Sequence, residues 1–168
     1  MFKKSYYIIL DFYKSIIPGE FIESVIIPLV FTLLAFVTQD GNLNNELKTS
    51  FNDFILTITS FLIAFSICAI TLLFSTSSHN IEDAKKQMTE RENHRKKKVS
   101  YFQLIQIRSY YNVCIEFLLI ILTIFYKLFS EGLNLNALFY VNIFLIVHIL
   151  FVLCFVVIHM YHLSWRNE

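Results

Sequence analysis

Apolar residues gather into four long stretches along the chain, and polar segments separate them. The stretches cover residues 21–38, 54–77, 109–129 and 137–161. A helix of about 20 apolar residues crosses the roughly 30 Å of hydrocarbon in a bilayer. The pattern therefore predicts an all-α membrane protein, in which residues 1–168 form a single membrane domain with four transmembrane helices.

A shorter apolar and aromatic run precedes the first span. It covers residues 3–17, is interrupted by Asp11 and Lys14, and is followed by Pro18-Gly19. Pro-Gly pairs end regular structure, and charged residues inside so short a run prevent it from crossing the bilayer. We expect an N-terminal helix that lies in the cytoplasmic membrane interface.

The segment between the second and third spans, residues 78–108, is charged but still permits a helix. It lacks Gly and Pro and contains many good helix formers. We expect a cytosolic helical extension that turns around Asn93-His94, with the third helix beginning near Val99. Three apolar residues of its first half are expected to face the third helix near Phe102 and Ile105, or a partner: Ile81, Ala84 and Met88.

The first span carries features that are unusual for a membrane helix. Pro28 lies in its interior, where the missing N–H should kink it. Glu20 and Glu23 lie at its entry. They are interpreted either as carboxylates at headgroup level near the N-terminal lysines, or as an acidic ring at a pore mouth in an oligomer.

Basic residues are distributed unevenly among the connections. Residues 38–53 and 130–136 are predicted to be exterior loops, and they hold only Lys48, with Lys127 at the end of the third span. The remaining lysines and arginines precede the first span, follow the fourth, or lie between the second and third. The positive-inside rule therefore predicts a multi-pass protein with both termini and the charged segment in the cytoplasm, and Trp165 and Arg166 at the interface.

Small and weakly polar residues recur at steps of three or four along the second span. Residues at this spacing share one face of a helix. Such a face lets two membrane helices approach closely, or it lines water. It predicts an oligomer-packing face or a pore face made of six residues: Thr57, Ser60, Ala64, Cys68, Thr71 and Ser75.

Composition supports a membrane location. The chain is 56% hydrophobic and only 16% charged, whereas soluble domains are about a quarter charged. Cys68, Cys114 and Cys154 lie in apolar runs without metal-type spacing, so we expect small buried hydrophobes. None of the common nucleotide-binding, metalloprotease or hydrolase motifs occurs in the sequence. We therefore expect neither enzymatic activity nor a cofactor or metal ion.

Ionisable residues inside spans are costly and hence candidates for function. Arg108, Asn112 and Glu116 are four residues apart and share a helix face. One interpretation is a polar stripe that faces the bundle interior, with Asn112 bonding between helices. The other is a cation-attracting site on a conduction path.

The fourth span contains two polar residues at membrane depth. Asn142 is interpreted as an interhelical hydrogen-bonding residue. His148 lies near the middle of the span, and His159 lies about three turns further on, at nearly the same side. We expect His148 to be neutral and hydrogen-bonded across helices; the alternative is a proton relay or a metal site.

A basic cluster follows the predicted turn at Asn93-His94. It consists of Arg95, Lys96, Lys97 and Lys98. It is interpreted either as a topogenic signal alone, or as a docking site for anionic lipid, an acidic protein or nucleic acid. Contact with nucleic acid would be indirect and directed at phosphates.

Two segments carry a resemblance to a known class of proteins. FSTSSHNIEDAKKQ covers Phe74–Gln87, and YFQLIQIRSYYN covers Tyr101–Asn112. With the four-span layout, they resemble small bacterial membrane proteins of anti-phage defence operons, among them the membrane subunit of the Kiwa system. The resemblance implies a homo-oligomer, namely a tetramer, with a cytosolic partner encoded alongside, and it identifies no catalytic residue.

Three functional hypotheses follow. The first is a membrane component of an anti-phage defence system that senses membrane perturbation or infection and docks a cytosolic partner. The second is a pore-forming effector that depolarises the inner membrane, in which Glu116 attracts cations. The third is a small transporter, which is disfavoured because no matching pair of broken helices occurs in the two halves.

Overall fold

The computed structural model describes residues 2–38, 45–75, 79–130 and 135–164. Helices dominate these segments, and two short strands form the remaining regular structure. In chain order the elements are α1 (Phe2–Ser15), α2 (Pro18–Phe21), a π-helical segment (Ile22–Ile26), α3 (Ile27–Thr38), α4 (Asn45–Ser75), α5 (His79–Lys86), β1 (Met88–Glu92), β2 (Lys98–Ser100), α6 (Tyr101–Phe129) and α7 (Asn136–Ser164).

Within the described residues, four helical stretches are long and apolar enough to cross a membrane. They are Pro18–Thr38, Glu46–Ser75, Tyr101–Phe129 and Asn136–His162. Each contains one of the four predicted spans almost completely, so the prediction of a multi-pass helical membrane protein is confirmed in length and composition. We call them span 1 to span 4.

The two last helices form the centre of the bundle. α6 packs along α7 and along α4, α1 packs on α6, and α3 packs on α7. The main apolar cluster joins Phe12 of α1, Ile55 of α4, Leu119 of α6 and Ile149 of α7. Many apolar side chains of spans 1 and 2 point outward instead, such as Leu34 and Phe61, as expected of helices that face lipid.

Two helices begin earlier than the apolar pattern alone indicates. α4 starts at Asn45, so the described part of the predicted exterior loop, residues 45–53, is helical. Asn52 is completely buried, which shows that tertiary packing stabilises these polar first turns. α6 begins at Tyr101, close to the predicted start near Val99, because Ser100 and Gln103 form a reciprocal capping box.

The prediction of a helical extension over residues 78–108 is wrong for its middle part, residues 87–100. α5 ends at Lys86, and an antiparallel hairpin of β1 and β2 follows. Asn93 explains the tight turn: its side-chain oxygen accepts the backbone N–H groups of Arg95 and Lys97, and Lys96 adopts a positive φ of 57°. Such asparagine turns offer the backbone an alternative to a helix.

The apolar side of α5 packs as predicted. Ile81 and Ala84 are buried in one cluster with Phe102 and Ile105 of α6. Met88, the third residue of the predicted set, is 58% exposed, because it lies at the start of β1 rather than on a continuing helix.

Span 1 is irregular next to its proline. The π-helical segment Ile22–Ile26 lies directly before Pro28. Proline has no N–H to donate to the carbonyl four residues earlier, which here belongs to Ser24. The predicted distortion is therefore present as a local widening of the helix.

Candidate functional site

A buried ion cluster joins span 1, the hairpin and span 3. Both carboxylate oxygens of Glu20 bind Arg91 of β1, at 2.8 and 3.0 Å. Arg108 of α6 donates to the same carboxylate at 2.6 Å, and its side chain is only 1% exposed. Two guanidinium groups thus share one carboxylate, so these three residues carry a net charge of +1.

His159 of α7 completes this cluster. Its Nδ1 lies 2.6 Å from the carbonyl of Phe155 one turn earlier, and its Nε2 lies 2.9 Å from Arg108 Nη1. Arg108 Nη1 also lies 3.0 Å from Nδ1, but the Phe155 carbonyl can only accept, so Nδ1 carries the proton and Nε2 accepts from the guanidinium. The ring is therefore neutral. Glu20, Arg91, Arg108 and His159, which we call the ion cluster, tie together span 1, span 3, span 4 and the hairpin.

A second contact holds the turn of the hairpin against α1. The carboxylate of Asp11 accepts the backbone N–H of His94 at 2.8 Å and contacts its Nδ1 at 2.6 Å. The ring of Tyr7 stacks on the His94 ring at 4.7 Å. Together with the ion cluster, this contact anchors the end of β1 and the turn that follows it.

The predicted docking residues occupy the outer edge of the anchored hairpin. All four side chains are exposed: Arg95, Lys96, Lys97 and Lys98. The Asn93 turn orders the backbone beneath them. We call these four residues the basic tip. They form a compact cationic surface on a hairpin that is anchored to α1 and α2.

Glu116 lies in the bundle interior, between α6 and α4. The residue is fully buried. Its Oε1 accepts the Ser66 hydroxyl at 2.9 Å and the Asn112 amide at 2.7 Å. Among the described residues, neither Glu116 Oε2 nor Asn112 Oδ1 has a hydrogen-bond partner. The predicted shared face of Arg108, Asn112 and Glu116 is confirmed, since all three are buried.

Further buried polar residues continue from Glu116 toward the opposite end of the bundle. Thr59 and Thr123 are both fully buried. Beyond them, Asn142 donates to Asn52 at 3.2 Å, and both are fully buried. Lys48 then donates to Asn136 at 2.7 Å. The predicted interhelical role of Asn142 is therefore present in the structure.

These residues form a line because of their spacing on α4. Asn52, Thr59 and Ser66 are seven residues apart, or about two turns, and thus occupy one face. α6 runs antiparallel to α4, since Lys127 pairs with Asp53 and Glu116 with Ser66. We call the buried groups from Asn52 to Glu116 the polar line.

His148 bonds across three elements, as predicted. Its Nε2 lies 2.8 Å from the Tyr111 hydroxyl, which lies 3.3 Å from the Tyr13 hydroxyl of α1. Its Nδ1 faces the carbonyl of Ser24. This is the carbonyl that Pro28 leaves without its usual helical donor. His148 thereby stabilises the irregular turn of span 1.

The small-residue face of span 2 lies on the outside of the bundle. All six of its residues are exposed: Thr57, Ser60, Ala64, Cys68, Thr71 and Ser75. The hydroxyls bond to backbone carbonyls of their own helix, for example Ser60 to Leu56 at 2.7 Å and Thr71 to Ile67 at 2.9 Å. The face does not line the interior of one chain; its role in packing or in a pore between chains stays a prediction.

Two cysteine predictions need correction. Cys68 and Cys154 are exposed at the bundle surface, and Cys114 is half-buried. A thiol behaves as a small hydrophobe, so it suits a surface that faces lipid as well as a core. The exposure therefore reflects the apolar solvent expected around the bundle.

An apolar cavity of about 220 Å³ lies between spans 1, 2 and 4. Its walls include Phe31, Phe51 and Tyr140. It lies away from the ion cluster and from Glu116, and it presents little polar chemistry.

The sequence interpretation missed several members of the site. Glu20 was assigned to headgroups or to a pore mouth, but it pairs with Arg91 and Arg108. The buried face of α4 is a further member, and the seven-residue spacing of Asn52, Thr59 and Ser66 is the sequence signal that indicates it. Comparison with protein-family models, curated proteins and solved structures finds no match to the chain.

Proposed function

We propose that this protein is a non-enzymatic, multi-pass component of the bacterial inner membrane that docks an acidic cytosolic protein through its basic tip. The proposal rests on the contacts that anchor the hairpin on which the basic tip lies. Four exposed cations project from a hairpin that is bonded to α1, α2 and α6. A rigid charged surface favours association with a partner of opposite charge.

The contacts that anchor the hairpin also link the basic tip to span 1. Glu20 begins span 1, and its carboxylate bridges to Arg91 of the hairpin and to Arg108 of span 3. Span 1 exposes most of its side chains, so its position depends on the surrounding lipid. A shift of span 1 would therefore move the hairpin, which suits a sensor of membrane perturbation. The resemblance to defence-operon proteins makes phage infection the proposed stimulus.

The docking proposal is tested by co-purification with the product of a neighbouring gene. Replacing Arg95, Lys96, Lys97 and Lys98 with glutamine should abolish co-purification. A variant with the charges kept (Arg95→Lys, with Lys96, Lys97 and Lys98→Arg) should retain it. Equal recovery of the partner with the glutamine variant would overturn the proposal.

We further propose that copies of the chain assemble, as a tetramer, through the small-residue face of span 2. Small side chains let helices approach closely, and the hydroxyls there are already satisfied by their own backbone. Substituting Ser60→Leu with Ala64→Leu should therefore reduce the mass of the detergent-solubilised oligomer. An unchanged mass would contradict this interface.

The orientation is part of the proposal. Both termini and the basic tip face the cytoplasm, as the distribution of basic residues favours. A membrane-impermeant thiol reagent applied outside right-side-out vesicles should label Leu47→Cys but not Lys96→Cys, in a chain without its native cysteines. Labelling of Lys96→Cys from outside would overturn the threading.

A second candidate function is supported by the polar line. A conducting effector needs polar groups across the membrane, and buried oxygens at Thr59, Asn142 and Glu116 have no partner among the described residues. Expression of the chain alone should then depolarise cells, measured with a potential-sensitive dye, and Glu116→Leu should abolish the effect. A steady potential in expressing cells would reject this candidate.

A further inference from the structure

Glu116 has an unusual arrangement of hydrogen bonds. Both of its donors, Ser66 of α4 and Asn112 of its own helix, bind the same oxygen, Oε1. Its other oxygen and Asn112 Oδ1 both lack a donor among the described residues. Two hydrogen-bond acceptors thus remain unsatisfied on two side chains that are already bonded to each other.

Charged groups on the neighbouring elements do not neutralise Glu116, because they have other contacts. α4 has no charged residue between Phe54 and Ser75. The charged or titratable groups of α6, and of the elements that pack on it, contact other groups. These contacts are Asp53 with Lys127, Asp11 with His94, Arg108 with Glu20 and His159, His148 with Tyr111, and Lys85 over the Phe102 ring.

A single proton on Glu116 removes the charge that has no counter-charge and also satisfies the two acceptors. An ionised carboxylate without a counter-charge is very costly at this depth. A proton on Oε2 makes the carboxyl neutral and turns Oε2 into a donor, for which Asn112 Oδ1 is the acceptor that still lacks a bond. A carboxylic acid and a primary amide are complementary in this way, since each supplies one donor and one acceptor.

We propose that Glu116 and Asn112 form a proton-binding site in the interior of the bundle, and that its proton is exchanged through the polar line at the Asn52 and Asn142 end. In this exchange a hydronium ion transfers its proton to the Glu116 carboxylate and leaves as water. The site is independent of partner docking; only the statement that this end faces the exterior rests on the proposed orientation.

The direction of access follows from the distribution of polar groups. The other unpartnered buried oxygens, on Thr59 and Asn142, lie on α4 and α7 toward the Asn52 end. Asn52, Thr59 and Ser66 are about 10 Å apart along α4, so exchange along the line requires a transient opening of the packed interior that admits about three water molecules between successive polar groups. At the other end Arg108 is bonded to Glu20 and His159, and among the described residues no buried side-chain oxygen between Arg108 and Asn112 lacks a partner.

Infrared spectroscopy of the full chain in lipid vesicles tests the site. At neutral pH the wild-type protein should show a carboxylic-acid C=O band that shifts in D₂O. Glu116→Gln, which keeps the shape and a donor, should remove the band, whereas the exposed control Glu23→Gln should retain it. Absence of the band from the wild type, or its survival in Glu116→Gln, would overturn the proposal.

The access route has its own test. Asn142→Leu should slow the deuterium shift of this band by about tenfold, as expected for the loss of a hydrogen-bonded step. Ser109→Ala, which lies on the ion-cluster side of Glu116, should leave the rate unchanged. Equal rates in Asn142→Leu and in the wild type would overturn the route, and circular dichroism of each variant identifies any loss of folding.

Discussion

The two faces of α4 contain similar polar residues, but the residues of each face form different hydrogen bonds. On the outer face, Thr57 and Ser60 donate to carbonyls of their own helix and are exposed. On the inner face, Ser66 donates to Glu116 of α6, Asn52 accepts from Asn142 of α7, and Thr59 has no described partner. The hydroxyls of the outer face are satisfied within α4, whereas the polar groups of the inner face need hydrogen-bond partners on neighbouring helices.

This contrast shows which polar residues of a membrane helix carry information. In hydrocarbon, an unsatisfied polar group costs several kcal/mol, but a serine or threonine can satisfy itself within its helix. Polarity alone therefore does not identify a pore or a site. The informative groups are those, like Glu116 and Asn142, whose bonds cannot be completed locally.

The largest effect is expected at Glu20. Span 1, like α4, contains two similar polar residues of which one, Glu20, bonds to neighbouring elements and the other, Glu23, is exposed. Glu20→Gln leaves Arg91 and Arg108 without their shared carboxylate, and breaking a buried ion pair costs about 3 kcal/mol of the free energy of unfolding. The exposed Glu23→Gln should change it by less than about 0.5 kcal/mol. Equilibrium unfolding in mixed micelles measures both, and equal losses would show that the ion cluster is not a fixed contact.

A smaller effect is expected from one substitution placed on both faces of α4. Ser66→Leu removes a donor to Glu116 and inserts a larger side chain into a packed interior, which should cost about 2 kcal/mol. Ser60→Leu should leave the stability of the dissociated chain unchanged within about 0.5 kcal/mol. The comparison requires a detergent that separates the copies. A larger loss for Ser60→Leu would reverse the assignment of the two faces.

The smallest effect is expected for the bond between Asn52 and Asn142. Asn52→Leu keeps the branched shape of the side chain but leaves the Asn142 amide without its acceptor, at a cost of about 1 kcal/mol. Thr57→Val removes a hydroxyl that bonds only within its helix, and should change the free energy of unfolding by less than about 0.5 kcal/mol. Thermal unfolding followed by circular dichroism compares them, and indistinguishable midpoints would remove the energetic difference between the faces.

Much of the architecture was predictable because it depends on local patterns. The four apolar stretches, the turn at Asn93 and the start of α6 near Val99 all follow from residues close together in sequence. The buried stripe from Arg108 to Glu116 follows from helical spacing in the same way. Each of these features depends on residues that are close together in the sequence.

The candidate site was less predictable because its contacts are distant in sequence. Glu20 lies 71 residues from Arg91 and 88 from Arg108, and His148 lies 124 from Ser24. The β-hairpin is another case, since its helix-forming composition is overridden by the Asn93 turn and by its anchors on α1 and α2. Only the packed chain decides such pairings.

The amino-acid order alone thus determined that the described chain has four helices long and apolar enough to cross a membrane, and where each of them lies, because hydrophobicity and helix length act locally. The tertiary structure decided which polar groups find partners, and therefore that Glu20 closes an ion cluster while Glu116 lacks a donor on one oxygen. The physical reason is that a hydrogen bond requires two groups within about 3 Å, and that proximity is a property of the folded bundle.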